Sequence, residues 1–307
     1  MPTRRDMMWG SASALLLAAC QGSPAARETM AEAVSLKRQA GQPRVGIQTY
    51  TIREAMEADT GAALRMLAEV GYDFVETNDR DFTRVEMAEL KAALAEAGLP
   101  VASTHVGFST IKDEPEAALA AARELGAEYA ILPWLPEEYR STEGYTEMAS
   151  HFDRVGAMMK AGGVRFGYHN HQFEFWDIDG PRNGMEILLE ETDPDLVTFE
   201  LDMFWAELGR QDVADLFRRY PGRFELCHIK DMERARLADF PADSLDFDGI
   251  SSGLMVNVGE GDLPFETWLG MADVSGMKLL VTEHDNPPAP YRDSVATMLR
   301  TVRGYDL

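Results

Sequence analysis

The chain has 307 residues and a formal net charge of −23, from 52 Asp and Glu against 29 Lys and Arg. That balance argues against a nucleic-acid partner, whose phosphates need a basic face to displace their counterions. Only two cysteines occur, Cys20 and Cys227, too few for a disulfide framework, and beyond the first twenty residues no apolar run is long enough to cross a bilayer.

The opening stretch, "MPTRRDMMWGSASALLLAAC", reads as an export segment over residues 1–20. Arg4 and Arg5 form a twin-arginine pair, and the apolar run from Met7 to Ala19 is too short for a membrane-spanning helix. Leu17-Ala18-Ala19-Cys20 has the small-residue pattern of a bacterial lipoprotein cleavage site, which predicts lipidation at Cys20; an ordinary signal peptide with an incidental cysteine is the alternative. Residues 21–42 are small, polar and weakly periodic, as a flexible tether would be. The expectation is an exported, periplasmic protein, lipid-anchored to a bacterial membrane, whose folded domain spans 43–307.

The roughly 265 residues of that domain suit one α/β barrel. Strands are predicted in "RVGIQTY" (44–50), "DFVET" (73–77), "PVASTHV" (100–106), "EYAILPW" (128–134), "VRFGYHN" (164–170), "LVTFELD" (196–202), "RFELCHIK" (223–230) and "KLLVTEH" (278–284). Between them, segments such as "TGAALRMLAEV" and "EMAELKAALAEAG" place apolar residues at helical spacing, the second closing on a glycine. Alternating strand and helix, with strands that are nearly continuous apolar runs, predict a (β/α)8 TIM barrel. A doubly wound open sheet is the alternative, and eight units favour the barrel. The gap from Asp231 to Lys278 is too long for one helix and its turns, and its glycines and acidic residues predict a long loop on the catalytic face, a candidate lid.

In a barrel the C-terminal strand ends form the mouth that takes substrate. Here those ends carry Gln48, Glu76, His105, Tyr168, His169, His171, Glu174, Glu200, Asp202, His228, Lys230, Glu283 and His284; of the six histidines only His151 falls inside a helical stretch. Imidazoles and carboxylates from separate strands suit one divalent cation, Mn2+, Co2+, Mg2+ or Zn2+, leaving positions open for substrate. Asp202, His228 and Glu283 are the leading ligand candidates, because each sits near the end of an apolar strand where a buried charge demands a partner. Glu174 is the fourth. A network of buried ion pairs without metal is the competing reading. Lys230 could hold a sugar oxygen or pair with a carboxylate, and Trp205, after Phe204, could stack on a sugar ring or fill the mouth. Gln48, Glu76, His105 and His284 complete the expected substrate contacts.

The motifs "YHNHQFEF", "ELDMFWAELG", "CHIKD", "NVGEGDLPF" and "LVTEHDNP", in that order, with "VGIQTYTIRE" and "GYDFVE" before them, resemble the xylose isomerase-like barrel superfamily, usually labelled sugar phosphate isomerase/epimerase. The resemblance covers the chain from residue 44 to its end. It implies one divalent metal held by two glutamates, an aspartate and a histidine, and proton movement beside a carbonyl through an enediolate-like intermediate. Asp202, His228 and Glu283 stand at the matching positions. In the ketose 3-epimerase branch strand five carries a ligand glutamate six residues before a second one; here six residues before Glu174 is Tyr168, so that glutamate is missing. The "YHNH" run looks more like inosose dehydratases and proteins that process 3-keto-glycosides, where a histidine can act as base.

The resulting expectation is a metal-dependent isomerase or lyase of an unphosphorylated sugar, keto-sugar or 3-keto-glycoside. His169 or His171 takes a proton beside the carbonyl, and Glu283 or a water returns one. A leaving group β to the carbonyl makes the reaction an elimination; otherwise it is an isomerisation. Ketose 3-epimerase or inosose dehydratase is the next reading, and a non-catalytic, lipid-anchored sugar-binding protein is the alternative from another class. The partner is a small carbohydrate, membrane contact is confined to the anchor, and homo-oligomerisation is left open.

Overall fold

The computed structural model describes residues 43–307; the expected export segment with Cys20 and the expected tether lie outside the described residues. Eight strands form the framework: β1 (Arg44–Gln48), β2 (Phe74–Asn78), β3 (Val101–His105), β4 (Tyr129–Leu132), β5 (Arg165–His169), β6 (Val197–Asp202), β7 (Leu226–Ile229) and β8 (Leu279–Thr282). Neighbours pair in parallel, and β8 pairs with β1, Val45 opposite Leu280 and Ile47 opposite Thr282, so the sheet closes into a barrel and the open-sheet alternative falls. Seven strands lie inside their predicted runs and β2 passes its own by one residue.

The strands read as apolar runs because they are buried on both faces, by helices outside and by side chains within. All residues of β2, β3 and β6 are buried. Period-two alternation then decides what fills the interior. Phe74, Ala102, Tyr129, Ile131, Leu226, Leu279 and Val281 form a small apolar cluster separate from the large core that packs under the helices. Two residues further along the same inward rows stand Glu76 after Phe74, His228 after Leu226 and Glu283 after Val281. The barrel is therefore plugged with hydrocarbon at its base and polar toward its mouth. Gly46 leaves room for the plug: a Cβ there would lie 2.2 Å from Cε2 of Phe74.

Helices follow the predicted spacing. Asp59 caps the helix Thr60–Val70 by accepting from the Ala62 N–H at 2.8 Å, and the helix Met87–Ala97 ends on Gly98 at φ 70°, a left-handed turn that glycine takes without a Cβ clash.

The stretch between β7 and β8 is a built strap rather than the loop expected. Asp231–Met232 pairs antiparallel with Met255–Val256, and helical turns at Arg234–Asp239 and Phe247–Gly253 lie between. One buried carboxylate organises its return: Asp231 accepts N–H bonds from Met232, Gly259, Gly261 and Leu263 at 2.9–3.3 Å.

Candidate active site

Two sets of buried donors meet at His228. One comprises His169, Asp202, His228 and Glu283, from β5 to β8; the other comprises Glu76, His105, Glu200 and His228, and within each set the donor atoms lie within 4.8 Å of one another.

His228 links them through its two ring nitrogens. Nε2 lies 2.6 Å from Glu76 Oε1, with which it is hydrogen-bonded, and 3.2 Å from Glu200 Oε2. Nδ1 forms an ion pair with Glu283 Oε2 at 2.8 Å and lies 3.8 Å from Asp202 Oδ2. An imidazole anchored by a carboxylate at one nitrogen, with the other converging on further carboxylates, has the arrangement of a metal ligand and its supporting partner. In His169, Nε2 lies 3.2 Å from Asp202 Oδ2, and Nδ1 is buried without a partner. Two imidazoles, one of them with an unpaired buried nitrogen at His169 Nδ1, and two carboxylates are a donor set that fits a divalent cation such as Zn2+, Mn2+ or Co2+.

The set around Glu76 and Glu200 is a buried ion-pair network of the kind the competing reading foresaw. His105 Nε2 lies 2.7 Å from Glu200 Oε2 and 3.0 Å from Glu76 Oε1. Burial favours the neutral ring, but the two carboxylates overcome it and raise His105 to about 9. Burial pushes the Glu76 carboxyl up, and His105 and His228 hold it well below the usual range. Gln48 steadies Glu76 with a 2.9 Å hydrogen bond from Nε2 and receives one in turn from Asn78.

Lys230 faces the first set. Its Nζ lies 2.9 Å from Glu283, 3.1 Å from Asp285 and 3.3 Å from Asp202. Burial raises the Asp202 and Glu283 carboxyls, but the ammonium and the neighbouring imidazoles keep both below their ordinary values. Glu283 is thereby held ionised, as a ligand should be and as a proton donor should not.

Glu174, expected as the fourth ligand, joins neither set. It accepts a short hydrogen bond from the Tyr168 hydroxyl and a 2.8 Å bond from the backbone N–H of His171. Strand parity is the reason. The Tyr168 ring stacks on Phe152 of the helix Thr142–Ala161, centroids 5.4 Å apart, so Tyr168 points out of the barrel and His169 points in. Counting back six residues from Glu174 lands on the wrong face of β5. Burial raises the Glu174 carboxyl to about 8 against the hydrogen bonds that lower it, and the side chain acts as a strut under the turn that carries His171. Glu174→Gln, which keeps a hydrogen-bond acceptor, is expected to retain the full metal content of the parent by elemental analysis; loss of metal would return Glu174 to the ligands.

A cavity of about 310 Å³ opens at the strand ends, lined by Gln48, His105, His169, His171, Trp205, Lys230 and Glu283 of the expected residues. Two expected substrate contacts do not line it: Glu76 is fully buried, and His284, one place past the inward Glu283, accepts from the Asn286 N–H at 3.1 Å. The lining also includes Tyr50, Asn78, Asp79, Arg80, Pro133, Trp134, Phe247 and Asp285, which were not singled out. Asn78, Trp134 and Asp285 stand at or just past strand ends, where the rule used for histidines and acids would have found them. Phe247 comes from the strap and had no such signal.

One wall is aromatic. The His171 ring lies with centroids 5.0 Å from Trp134, 5.4 Å from Phe173 and from Trp205, and 5.6 Å from Phe247. It makes no ion pair among the described residues, and its Nδ1 is buried without a partner. Burial, with His169 and Lys230 nearby, holds this imidazole well below its usual range, so it is neutral.

A family model described as xylose isomerase-like TIM barrel matches residues 64–302. An inosose dehydratase of Clostridium perfringens is 24% identical over 149 residues, 48% of this chain and 49% of that protein. The chain thus spans about half the length of the curated relatives such as this one. A sugar phosphate isomerase/epimerase from Parabacteroides distasonis superposes with a TM-score of 0.68 at 25% identity, covering 88% of this chain and 96% of that one. The IOLI protein with a bound zinc atom is similar in fold, with a TM-score of 0.65 at 16% identity over 85% of this chain and 99% of that one.

Proposed function

The chain belongs to the xylose isomerase-like TIM barrel family, and on that footing we propose that it is a divalent-metal-dependent isomerase or lyase that abstracts a proton beside the carbonyl of a small, unphosphorylated keto-sugar or 3-keto-glycoside. The observation that carries the proposal is His171, a neutral, unpaired base facing the same cavity as His169 and Glu283 of the four-donor set. The names of the relatives, an inosose dehydratase and a sugar phosphate isomerase/epimerase, support the same reaction class.

His169, Asp202, His228 and Glu283 hold the cation. When bound it stabilises negative charge growing on the carbonyl oxygen, help commonly worth several kcal/mol of barrier. His171 takes the proton from the carbon beside the carbonyl, where the aromatic wall keeps water from the imidazole. Lys230 donates a hydrogen bond to an oxygen of the substrate and neutralises Asp202 and Glu283. The protonated His171 then returns its proton: to the former carbonyl carbon, while the hydroxyl proton of the adjacent carbon passes to the former carbonyl oxygen, which completes an isomerisation, or to a departing β-oxygen, which completes an elimination. In a 3-keto-glycoside the hydrogen taken lies between the carbonyl and the glycosidic carbon, so the aglycone is that β-leaving group. Glu283, expected to return a proton, serves better as a ligand because Lys230 holds it ionised.

Proton NMR of metal-loaded protein with a 3-keto-glycoside, a ketose and an inosose tests this. Release of the aglycone, loss of water or migration of the carbonyl is expected, each abolished by a chelator; unchanged spectra for all three substrates would overturn the proposal.

The proposal extends to the protein's address. Arg4, Arg5 and Cys20 support export and lipid anchoring at a bacterial membrane, with 43–307 as the catalytic domain. Incorporation of labelled palmitate into the parent and not into Cys20→Ala is expected; equal labelling of both would contradict it.

A further inference from the structure

Beside the mouth lies a second cavity of about 290 Å³, which shares Asn78 and Arg80 with it. Three guanidiniums line it, those of Arg53, Arg80 and Arg84, in a chain whose net charge is −23. Arg53 is held in place entirely by neutral acceptors: the carbonyls of Tyr50 and Asp285, and Asn286 Oδ1 at 2.7 Å. Among the described residues it makes no ion pair. Arg53 and Arg80 also bracket the Tyr50 ring, 4.5 and 5.4 Å from its centroid, and Tyr50 itself lines the mouth.

Among the described residues two carboxylates line this side cavity. Glu57 pairs with both Arg80, at 3.3 Å, and Arg84, and its side chain is 44% exposed. Asp81 is buried beneath, taken up by the Thr49 hydroxyl and the Asn78 N–H. Three positive charges against two negative leave one positive charge over. One uncompensated guanidinium matches one carboxylate, whereas a phosphate monoester brings nearly two negative charges at neutral pH. Glu57 already shows that the Arg80 and Arg84 guanidiniums accept a carboxylate between them.

We propose that the side cavity is a subsite for a carboxylate carried by the substrate, so that the preferred substrate is an acidic sugar of the uronate kind, its ring in the mouth and its carboxylate among Arg53, Arg80 and Arg84. This rests on the proposed sugar chemistry for the identity of the ring, while the recognition of the carboxylate rests on the three arginines alone.

Titration calorimetry on the metal-loaded full chain tests it with D-glucuronate, D-glucose and glucose 6-phosphate as probes. Glucuronate is expected to bind about tenfold or more tightly than glucose, the advantage of a charge-assisted guanidinium contact. Arg84→Gln, at an exposed position, and Arg53→Gln are each expected to erase most of that advantage while leaving the circular dichroism of the parent unchanged. Equal affinity for glucuronate and glucose, or an advantage that survives both variants, would overturn the subsite; tighter binding of glucose 6-phosphate would overturn its assignment to a carboxylate. Because heat of binding is read rather than turnover, a protein that binds glucuronate through these arginines but converts no sugar keeps the subsite and loses the proposed reaction.

Discussion

Replacing Asp202, His228 or His169 by alanine is expected to strip the protein of its divalent cation. Four donors sharing a binding free energy of about 10–16 kcal/mol contribute several kcal/mol each, so removal of one lowers affinity by roughly 10²-fold or more. Asp202 has a second duty, since its Oδ1 accepts from the Trp205 N–H at 2.9 Å and caps the helix Met203–Leu208. Asp202→Asn separates the two, keeping a cap acceptor while removing the anionic ligand. Glu76→Gln acts at one remove: it weakens the carboxylate that orients His228, and losses of about 10–100-fold in metal affinity are usual for such partners. The check is elemental analysis after dialysis against a weak chelator. Stoichiometric metal in both Asp202→Asn and His228→Ala would place the cation elsewhere.

His171→Ala is expected to behave in the opposite way, keeping the metal and losing turnover by about 10²–10⁴-fold, the usual contribution of a positioned base. The contrast with His169→Ala is the informative part. The two histidines are two residues apart and sequence reasoning treated them alike, but His169 stands among the donors whereas His171 stands against Trp134, Trp205 and Phe247. Full metal with undiminished turnover in His171→Ala would remove it as the base.

What the sequence made legible was whatever depends on burial alone. Strands covered on both faces have to be apolar throughout, so β1 to β8 stand out, and their number implies closure. The rim followed from the strand ends, with no knowledge of which strands are neighbours. Parity was not legible in β5, because Gly167, Tyr168, His169 and Asn170 show no apolar–polar alternation to say which residue faces inward. That is why the count back from Glu174 fell on an outward tyrosine. Level was not legible either: the stagger of the barrel brings Glu76 of β2 beside His228 of β7, and 152 residues separate them in the chain. The gap between β7 and β8 reads in the sequence as a loop and not as a built strap because it is organised by one carboxylate bonding to distant backbone amides, and Asp231 in "CHIKD" carries no local sign of it.

The most direct test of proton abstraction at this site is solvent isotope exchange. Metal-loaded protein in D2O with a 3-keto-glycoside, a ketose or an inosose should place deuterium on the carbon beside the carbonyl of at least one of them, with His171→Ala slowing incorporation at full metal occupancy. If no substrate acquires deuterium, releases its aglycone or loses water while the metal remains stoichiometric, the barrel does not do this chemistry.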